Sequence, residues 1–213
     1  MPCVLQQADL APGLGVEARC PAGRGSPVTH SLVDPDALLV QEAQKGSLKA
    51  YEDLVRRHRD ALFGYLRRMA GDPGAAEELA QATFVRAWES LSGFRREARF
   101  KTWLFRIAHS LCVNRLTRTR PTVELREDFA DAPGGEPAEA LRHRRLSRVV
   151  ESALNQLRPD QRACLVLAVY EGMSYQEIAR AVGKSPRAVD SLLVRARREL
   201  RRLLEPARRS GLV

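Results

Sequence analysis

The sequence has no long hydrophobic run. Its longest apolar stretch, ACLVLAVY at residues 163–170, is far shorter than the roughly 18 residues that a membrane-spanning helix needs. The beginning of the chain, MPCVLQQADLAPGLG, lacks the basic segment followed by an apolar segment that marks a secretory signal. We therefore expect a cytoplasmic protein that does not insert into a membrane.

Cysteine is scarce, and its spacing matches no zinc-site or disulfide pattern. The four cysteines stand at positions 3, 20, 112 and 164 with no CxxC pair, which argues against a zinc site and a disulfide framework. Cys112 and Cys164 fall in apolar helical patterns and are expected to be buried thiols.

Signatures of catalysis are missing as well. The four histidines are scattered, and the sequence contains no nucleophile elbow, phosphate-binding glycine loop or metal-ligand cluster. His58 lies on an apolar stripe, where a hydrogen-bonded core histidine is the expected reading. We expect no catalytic residue, no metal, no cofactor and no enzymatic activity.

Positive charge is what the sequence has in excess. Lysine and arginine total 35 against 26 acidic residues, which gives a formal charge of +9. Such a balance favours an anionic partner, with nucleic acid first and a membrane surface second. A merely solvated basic surface remains an alternative on charge alone.

No segment alternates in the manner of a strand, and the apolar residues recur at helical spacing. The pattern predicts an all-α protein with two small helical domains. Residues 1–33, rich in glycine, proline and alanine, are predicted to be a disordered tail. The domains are predicted at residues 34–119 and 145–207, and a flexible acidic linker at 120–144 joins them.

Local signals mark where the N-terminal helices begin and end. Ser47 opens one helix, and Gly71 ends it. Asp72-Pro73 is an N-cap followed by proline at the first helical position, which predicts the start of the next helix. A third helix is expected over about 100–118.

A helix-turn-helix is predicted near the C-terminus. Ser174 and Glu177 form a capping box, Gly183 ends a short helix, and Ser185-Pro186 starts a second one. The N-terminal part of the second helix in such a motif enters the major groove of DNA. An ordinary helical hairpin with a charged face is the alternative. The candidate DNA-contacting residues are Lys184, Ser185, Arg187, Asp190, Ser191, Arg195 and Arg198.

The helix over 100–118 mixes aromatic and basic residues. On a helical wheel Phe100, Leu104 and Ala108 form the core stripe, while Phe105 falls on the outer face with Arg106 and His109. An exposed ring beside cations suits unpaired bases, which stack on aromatic rings while the cations hold phosphate. The alternative is that Phe105 packs under a neighbouring loop.

The helix that begins at Asp72-Pro73 directs an acidic and polar set of residues away from the core. An acidic face on a basic protein suggests a protein partner with a basic surface, although a solvated face explains it equally well. The residues of this face are Glu78, Gln81, Val85 and Glu89.

Two long motifs resemble one family. DPGAAEELAQATFVRAWESLSGF followed by FKTWLFRIAHSLCVNRL resembles the second conserved region of extracytoplasmic-function sigma factors, small members of the sigma-70 family. LNQLRPDQRACLVLAVYEGMSYQEIARAVGKSPRAVDSLLVRARREL resembles their fourth region. The resemblance covers roughly residues 34–205 in the family's order.

The resemblance implies a factor that directs core RNA polymerase to promoters and opens them. The N-terminal domain would bind the β′ clamp helices through the acidic face and melt the minus-ten element. The C-terminal domain would bind the β flap and the minus-thirty-five element, and an anti-sigma factor is a further implied partner. The implied minus-ten residues are Lys101, Phe105, Arg106, His109, Ser110 and Asn114.

The chain departs from the family pattern in both DNA-reading segments. Family members usually carry asparagine where this chain has Ser110, and often an acidic residue at Ala82. Asp190 and Leu192 replace frequent basic residues in the second helix of the helix-turn-helix. Two other functions stay open: a helix-turn-helix regulator that binds its operator directly as a dimer, and a helical adaptor that holds only a protein.

Overall fold

The structure, a computed structural model, describes residues 34–118 and 138–210. Helices account for most of this part of the chain, which contains no strand, so the all-α prediction is confirmed. A short 3₁₀ turn at Leu91–Gly93 follows the third helix. The helices are α1 (Ala37–Gln44), α2 (Leu48–Ala70), α3 (Pro73–Ser90), α4 (Phe100–Arg118), α5 (Ala138–Gln156), α6 (Pro159–Val169), α7 (Tyr175–Val182) and α8 (Pro186–Arg209).

The predicted helix ends in the N-terminal half are confirmed. Ser47 Oγ accepts a hydrogen bond from the Ala50 N–H at 3.3 Å and begins α2. Gly71 ends the helix with φ +75°, a left-handed conformation that glycine adopts without steric cost. Asp72 then accepts from the Ala75 N–H at 2.7 Å and begins α3.

The ends of the helix-turn-helix are also where the sequence predicts them. The Ser174 N–H donates to Glu177 Oε2 at 2.9 Å, and the Glu177 N–H donates to Ser174 Oγ at 3.3 Å, which completes the capping box. Gly183 ends α7 with φ +68°. Ser185 Oγ accepts from the Ala188 N–H at 3.2 Å and begins α8.

One predicted boundary is wrong. Helix α5 begins at Ala138, so residues 138–144, predicted as linker, are helical. The reason is local, because the segment after Pro137 consists mainly of alanine, leucine, glutamate and arginine, all strong helix formers. The predicted tail at 1–33 and the rest of the predicted linker up to residue 137 lie outside the described residues.

Helices α1 to α4 form the N-terminal module around an aromatic core. The Phe94 ring lies tilted against Trp103, with ring centres 4.8 Å apart, and meets Phe100 edge-on at 6.2 Å. His58 Nε2 lies 2.7 Å from Asp36 Oδ2, so this histidine is the hydrogen-bonded core residue that the sequence predicts. Burial by itself would raise the pKa of Asp36, but His58 and Arg57 together hold it below its usual value.

Helices α5 to α8 form the C-terminal module. Helix α8 packs one stripe, Val189, Leu193 and Ala196, against α6 and α7 and leaves the rest of its circumference to solvent or to the flanking α5. The stripe follows the helical period, so α8 is a one-sided amphipathic helix. Its outward side is therefore available to a partner along most of its length.

The two modules pack directly against each other. Arg162 of α6 is buried and donates from Nη1 to the Met69 carbonyl of α2 at 2.8 Å. Near it, Arg67 pairs with Glu151 of α5, and the Arg68 guanidinium lies 3.8 Å from the centre of the Tyr170 ring. Helix α7 also packs along α4, so that α4 has neighbours in both modules.

Candidate nucleic-acid and polymerase interface

Helix α4 has two buried stripes rather than one. The first, Phe100, Leu104 and Ala108, faces the core of the N-terminal module as predicted. The second consists of Thr102, Phe105, His109 and Cys112. It lies where α4 meets α2 and the C-terminal module, because packing against α7 covers a side that a single-layer bundle would leave open.

The predicted exposure of Phe105 and His109 is therefore wrong. The Phe105 side chain is 0% exposed and meets the Tyr65 ring edge-on at 5.3 Å. His109 is 8% exposed, and its Nδ1 lies 3.0 Å from Tyr65 Oη, a hydrogen bond. Neither ring is available to stack on a base in this arrangement.

The pKa of His109, in the N-terminal module, depends on charged groups of the C-terminal module. Burial lowers the pKa of His109, since the charged form loses its hydration. The nearby carboxylate of Asp160 opposes that change, whereas the Lys184 ammonium adds to it. Both of these residues belong to the C-terminal module, so the imidazole lies at the boundary between the modules.

A third side of α4 remains open. Arg106, Ser110 and Asn114 recur at intervals of four residues and are exposed. They border a groove of about 620 Å³ between α3 and α4, with Val85 and Glu89 on its opposite wall. Three of the six residues predicted to contact the minus-ten element thus share one surface.

Lys101 lies elsewhere and is already paired. Its Nζ is 2.9 Å from Glu171 Oε2 and donates to the Glu171 carbonyl at 3.2 Å. Glu171 belongs to the turn between α6 and α7, and its side chain is only 7% exposed. The predicted minus-ten set is therefore divided between an open stripe, a buried stripe and an ion pair with the C-terminal module.

The predicted acidic face of α3 points outward. Glu78, Gln81, Val85 and Glu89 are all exposed, and Val85 retains 59% of its accessible surface. Glu78 pairs with Arg115 of α4 at 2.5 Å, and Glu89 pairs with Arg86 at 3.3 Å. The face therefore presents an apolar side chain bordered by carboxylates, a pattern that suits a protein partner.

The outward face of α8 carries the predicted DNA contacts. Six of the seven predicted residues are exposed: Ser185, Arg187, Asp190, Ser191, Arg195 and Arg198. Lys184, the seventh, is partly buried and pairs with Asp160 at 3.1 Å. In the first turn of α8, Pro186 has no N–H and the Ala188 N–H is bonded to Ser185 Oγ, which leaves the Arg187 N–H for a phosphate.

Sequence reasoning missed three residues on these surfaces. Val194 of α8 is 58% exposed amid the polar face, and an apolar side chain there can contact a thymine methyl group. Arg95 and Arg180 line a smaller recess of about 340 Å³ beside the first turn of α4. The spacing of Val194, three residues after Ser191, was a usable signal, but nothing local places Arg180 of α7 beside Arg95.

Comparison with known proteins assigns the family. Residues 54–122 match the model of sigma-70 region 2, and residues 147–200 match that of sigma-70 region 4. The extracytoplasmic-function RNA polymerase sigma-E factor of Haemophilus influenzae is 31% identical over 80% of this chain and 96% of its own length. The chain belongs to the extracytoplasmic-function group of the sigma-70 family.

Solved structures of sigma factors resemble this one. CnrH, solved in complex with the cytosolic domain of CnrY, has a TM-score of 0.63 and 32% identity, covering 80% of this chain and 97% of that one. The sigma factor RpoE of Bartonella quintana, solved with the anti-sigma factor NepR, has a TM-score of 0.58 and 26% identity over 74% of this chain and 98% of that one.

The sigma-factor assignment fixes the biochemical role. Sigma factors join core RNA polymerase and direct it to promoter DNA, and this chain is an initiation factor of that kind. The predicted partners, core polymerase and promoter DNA, are thereby confirmed at the level of the family. Within residues 34–118 and 138–210, no helix is both long and apolar enough to cross a membrane.

Proposed function

We propose that this sigma factor reads a promoter through two separate surfaces, the open side of α4 for the minus-ten element and the first turns of α8 for the minus-thirty-five element. The observation that carries the proposal is that the two surfaces lie on different modules. Both surfaces are exposed to solvent, and each contains an exposed arginine, Arg106 in α4 and Arg187 in α8. A direct-binding helix-turn-helix regulator has no need of the first surface.

The acidic face of α3 is proposed to bind the β′ clamp helices of core polymerase. Val85 supplies the apolar contact, and Glu78 and Glu89 supply carboxylates for a basic partner. This role explains an acidic surface on a basic protein. Binding of the β flap is proposed for the C-terminal module from the family alone.

At the minus-ten element, Arg106, Ser110 and Asn114 are proposed to contact the unpaired strand. Ser110 replaces the asparagine usual in the family, and a serine hydroxyl cannot make the bidentate contact that an amide makes with adenine. Discrimination at that base should accordingly be weaker. Phe105 and His109 are proposed to support α4 from its buried side.

At the minus-thirty-five element, Arg187 is proposed to contact base edges in the major groove. Ser185 and the Arg187 N–H in the first turn of α8 would hold phosphate, and Arg195 and Arg198 would contact the backbone farther along. Asp190 replaces a frequent basic residue, so it removes one phosphate contact and is a candidate acceptor for a cytosine amino group.

We propose that the chain itself catalyses no reaction and needs no cofactor. Among the described residues, no group of three or more histidine, cysteine, aspartate or glutamate side chains could hold a metal ion. We assign it to the cytoplasm, where core polymerase acts. Since the RpoE relative was solved with an anti-sigma factor, we also propose that an anti-sigma factor controls this chain.

Run-off transcription tests the proposal. Core polymerase is incubated with fragments of genomic DNA, with and without the full chain. Transcripts that begin at defined positions only in the presence of the chain are the expected result. The absence of any such transcript from every template would overturn the proposed function.

A further inference from the structure

Helix α4 begins without a capping side chain of its own. The segment at 94–99, FRREAR, contains no serine, threonine, aspartate or asparagine, the residues that usually accept the first amides of a helix. Arg99 lies at the N-cap position, where its carbonyl accepts from the Trp103 N–H at 3.1 Å. The first amides of α4 therefore need a side-chain acceptor from another part of the chain.

Asp34, 66 residues earlier, supplies that acceptor. Its Oδ2 accepts from the Phe100 N–H, the first amide of α4, at 2.7 Å. Its Oδ1 accepts from the Asp36 N–H at 3.1 Å, so both oxygens are used. A carboxylate in this position also interacts favourably with the positive end of the helix dipole. Asp34 is thus an N-terminal cap of α4 that comes from the segment before α1.

The carboxylate of Asp34 is held in place by its neighbours in the chain. Asp36 is 1% exposed, and its Oδ2 lies 2.7 Å from His58 Nε2 of α2. Arg57, also of α2, donates from Nη1 to the Pro35 carbonyl at 3.1 Å. Because the segment before α1 is fixed to α2 in this way, the cap is preorganised for α4.

The loop between α3 and α4 is also fixed at its other end. Gln44, the last residue of α1, donates from Nε2 to the Leu91 carbonyl at 3.0 Å and to the Phe94 carbonyl at 2.9 Å. Between the two attachments Arg96 has φ +55°, a left-handed conformation that is strained for a residue with a side chain. Release of either attachment would let the loop relax, and α4 begins where the loop ends.

The first turns of α4 form walls of both cavities beside its open side. Trp103 lines the groove of about 620 Å³ and the recess of about 340 Å³, and Arg106, one turn later, lines both as well. Phe100 is fully buried, with its ring centre 5.5 Å from that of His58. Unwinding at the start of α4 would therefore displace Trp103 and Arg106 at the surface proposed to meet the minus-ten element.

We propose that Asp34 is a positioning residue for promoter opening, which caps α4 from the segment before α1 and thereby fixes the first turn of the minus-ten helix. It acts through the Phe100 amide and not by touching DNA. The inference rests on the proposed function, because that function makes α4 the minus-ten reader. It adds that a residue outside the match to sigma-70 region 2, which covers 54–122, sets part of the geometry of that reader.

Asp34→Ala removes the cap, and Ser47→Ala is its matched control. Ser47 caps α2 in the same module by accepting from the Ala50 N–H at 3.3 Å, so each variant loses an N-cap. Only Asp34→Ala loses it at α4. A general loss of stability would affect both variants alike, whereas a positioning role affects Asp34→Ala alone.

The Phe100 amide reports the cap directly. Hydrogen exchange is followed by NMR on the full-length chain without polymerase. We expect this amide to exchange about fivefold faster or more in Asp34→Ala than in wild type, and within about twofold of wild type in Ser47→Ala. Unchanged exchange of the Phe100 amide in Asp34→Ala would overturn the proposal, because Asp34 would then not cap α4 in solution.

The rate of promoter opening tests the functional role. Saturating holoenzyme is added to a duplex promoter found by run-off transcription, and the reactivity of unpaired thymines toward permanganate is followed over time. Asp34→Ala should open the duplex about fivefold more slowly or worse, whereas Ser47→Ala should stay within about twofold of wild type. Equal rates in the two variants would reduce Asp34 to a general contribution to stability and refute the positioning role.

A cap supplied locally should restore opening. Arg99→Ser places a good capping residue directly before α4, and together with Asp34→Ala it also restores the net charge of the wild-type chain. The double variant should open the duplex within about twofold of Arg99→Ser alone. If the double variant stayed as slow as Asp34→Ala, capping would not be the means by which Asp34 acts.

Transcription separates this inference from the proposed function. If the wild-type chain directs no transcript, the proposed function fails, and a positioning role in opening fails with it. If the wild-type chain opens promoters and Asp34→Ala opens them as fast as Ser47→Ala, only the positioning role fails.

Discussion

Helices α4 and α8 are both proposed to read DNA, yet they are packed in different ways. Helix α8 buries one stripe and leaves the rest to solvent or to α5, and six of the seven residues predicted to contact DNA there are exposed. Helix α4 buries two stripes, and Phe105 and His109, predicted on its surface, lie inside. A helical wheel therefore locates the surface correctly only when one layer of neighbours covers the helix.

The sequence of α4 contained a sign of this difference. Apolar residues occupy most of its circumference, with Phe105 and Cys112 at angles outside the stripe of Phe100, Leu104 and Ala108. A helix that is apolar on most sides is usually enclosed by neighbours. Helix α8, by contrast, separates its apolar stripe cleanly from its arginines, which is typical of a helix with a free face.

The largest expected effect contrasts two adjacent residues of α4. Phe105→Ala should lower the free energy of unfolding by about 3–5 kcal/mol, because it leaves a cavity beneath Tyr65. Arg106→Ala should change it by about 0.5 kcal/mol or less, since the side chain is exposed. Urea denaturation of both variants measures the contrast. If Phe105→Ala lowered the free energy of unfolding as little as Arg106→Ala does, the burial of Phe105 would be contradicted.

Substitutions in α8 should act on DNA rather than on stability. Arg187→Ala should weaken holoenzyme binding to its promoter by about 1–3 kcal/mol and relax specificity at one position. Arg198→Ala should weaken binding on all sequences alike and reduce the salt slope by about 1, as loss of a phosphate contact does. Filter binding across a salt series separates them, and identical salt slopes for the two variants would contradict these roles.

A smaller effect is expected at the start of α8. Ser185→Ala should cost about 1 kcal/mol of unfolding free energy, because Ser185 Oγ no longer accepts from the Ala188 N–H. Ser191→Ala, an exposed position in the same helix, serves as the control. Thermal melts of the two variants would coincide if the cap contributed nothing.

The smallest effect is a pH dependence of stability that His109, on the buried side of α4, should produce. The pKa of His109 is lowered by burial, so below the unfolded value of about 6.5 the unfolded chain takes up a proton more readily than the folded one. Stability should be constant above that pH and fall as pH decreases toward the folded pKa. Melting temperatures of wild type and His109→Gln measure it, and an equal decline in both would exclude His109 as the cause.

The sequence alone determined the helix ends, the two modules and the family. Ser47, Gly71, Asp72 and the capping box of Ser174 act through contacts within a few residues along the chain, so their effect is readable locally. The one boundary error, at the start of α5, arose from extending a composition-based linker across strong helix formers.

Only the tertiary structure decided which sides of α4 are free and which cations are occupied. Tyr65 is 44 residues from His109, and Glu171 is 70 residues from Lys101, so no local pattern connects either pair. The face of a helix that solvent reaches depends on every neighbour that packs against it. For α4 one of those neighbours is α7 of the other module, and the sequence predicted that helix without predicting its position.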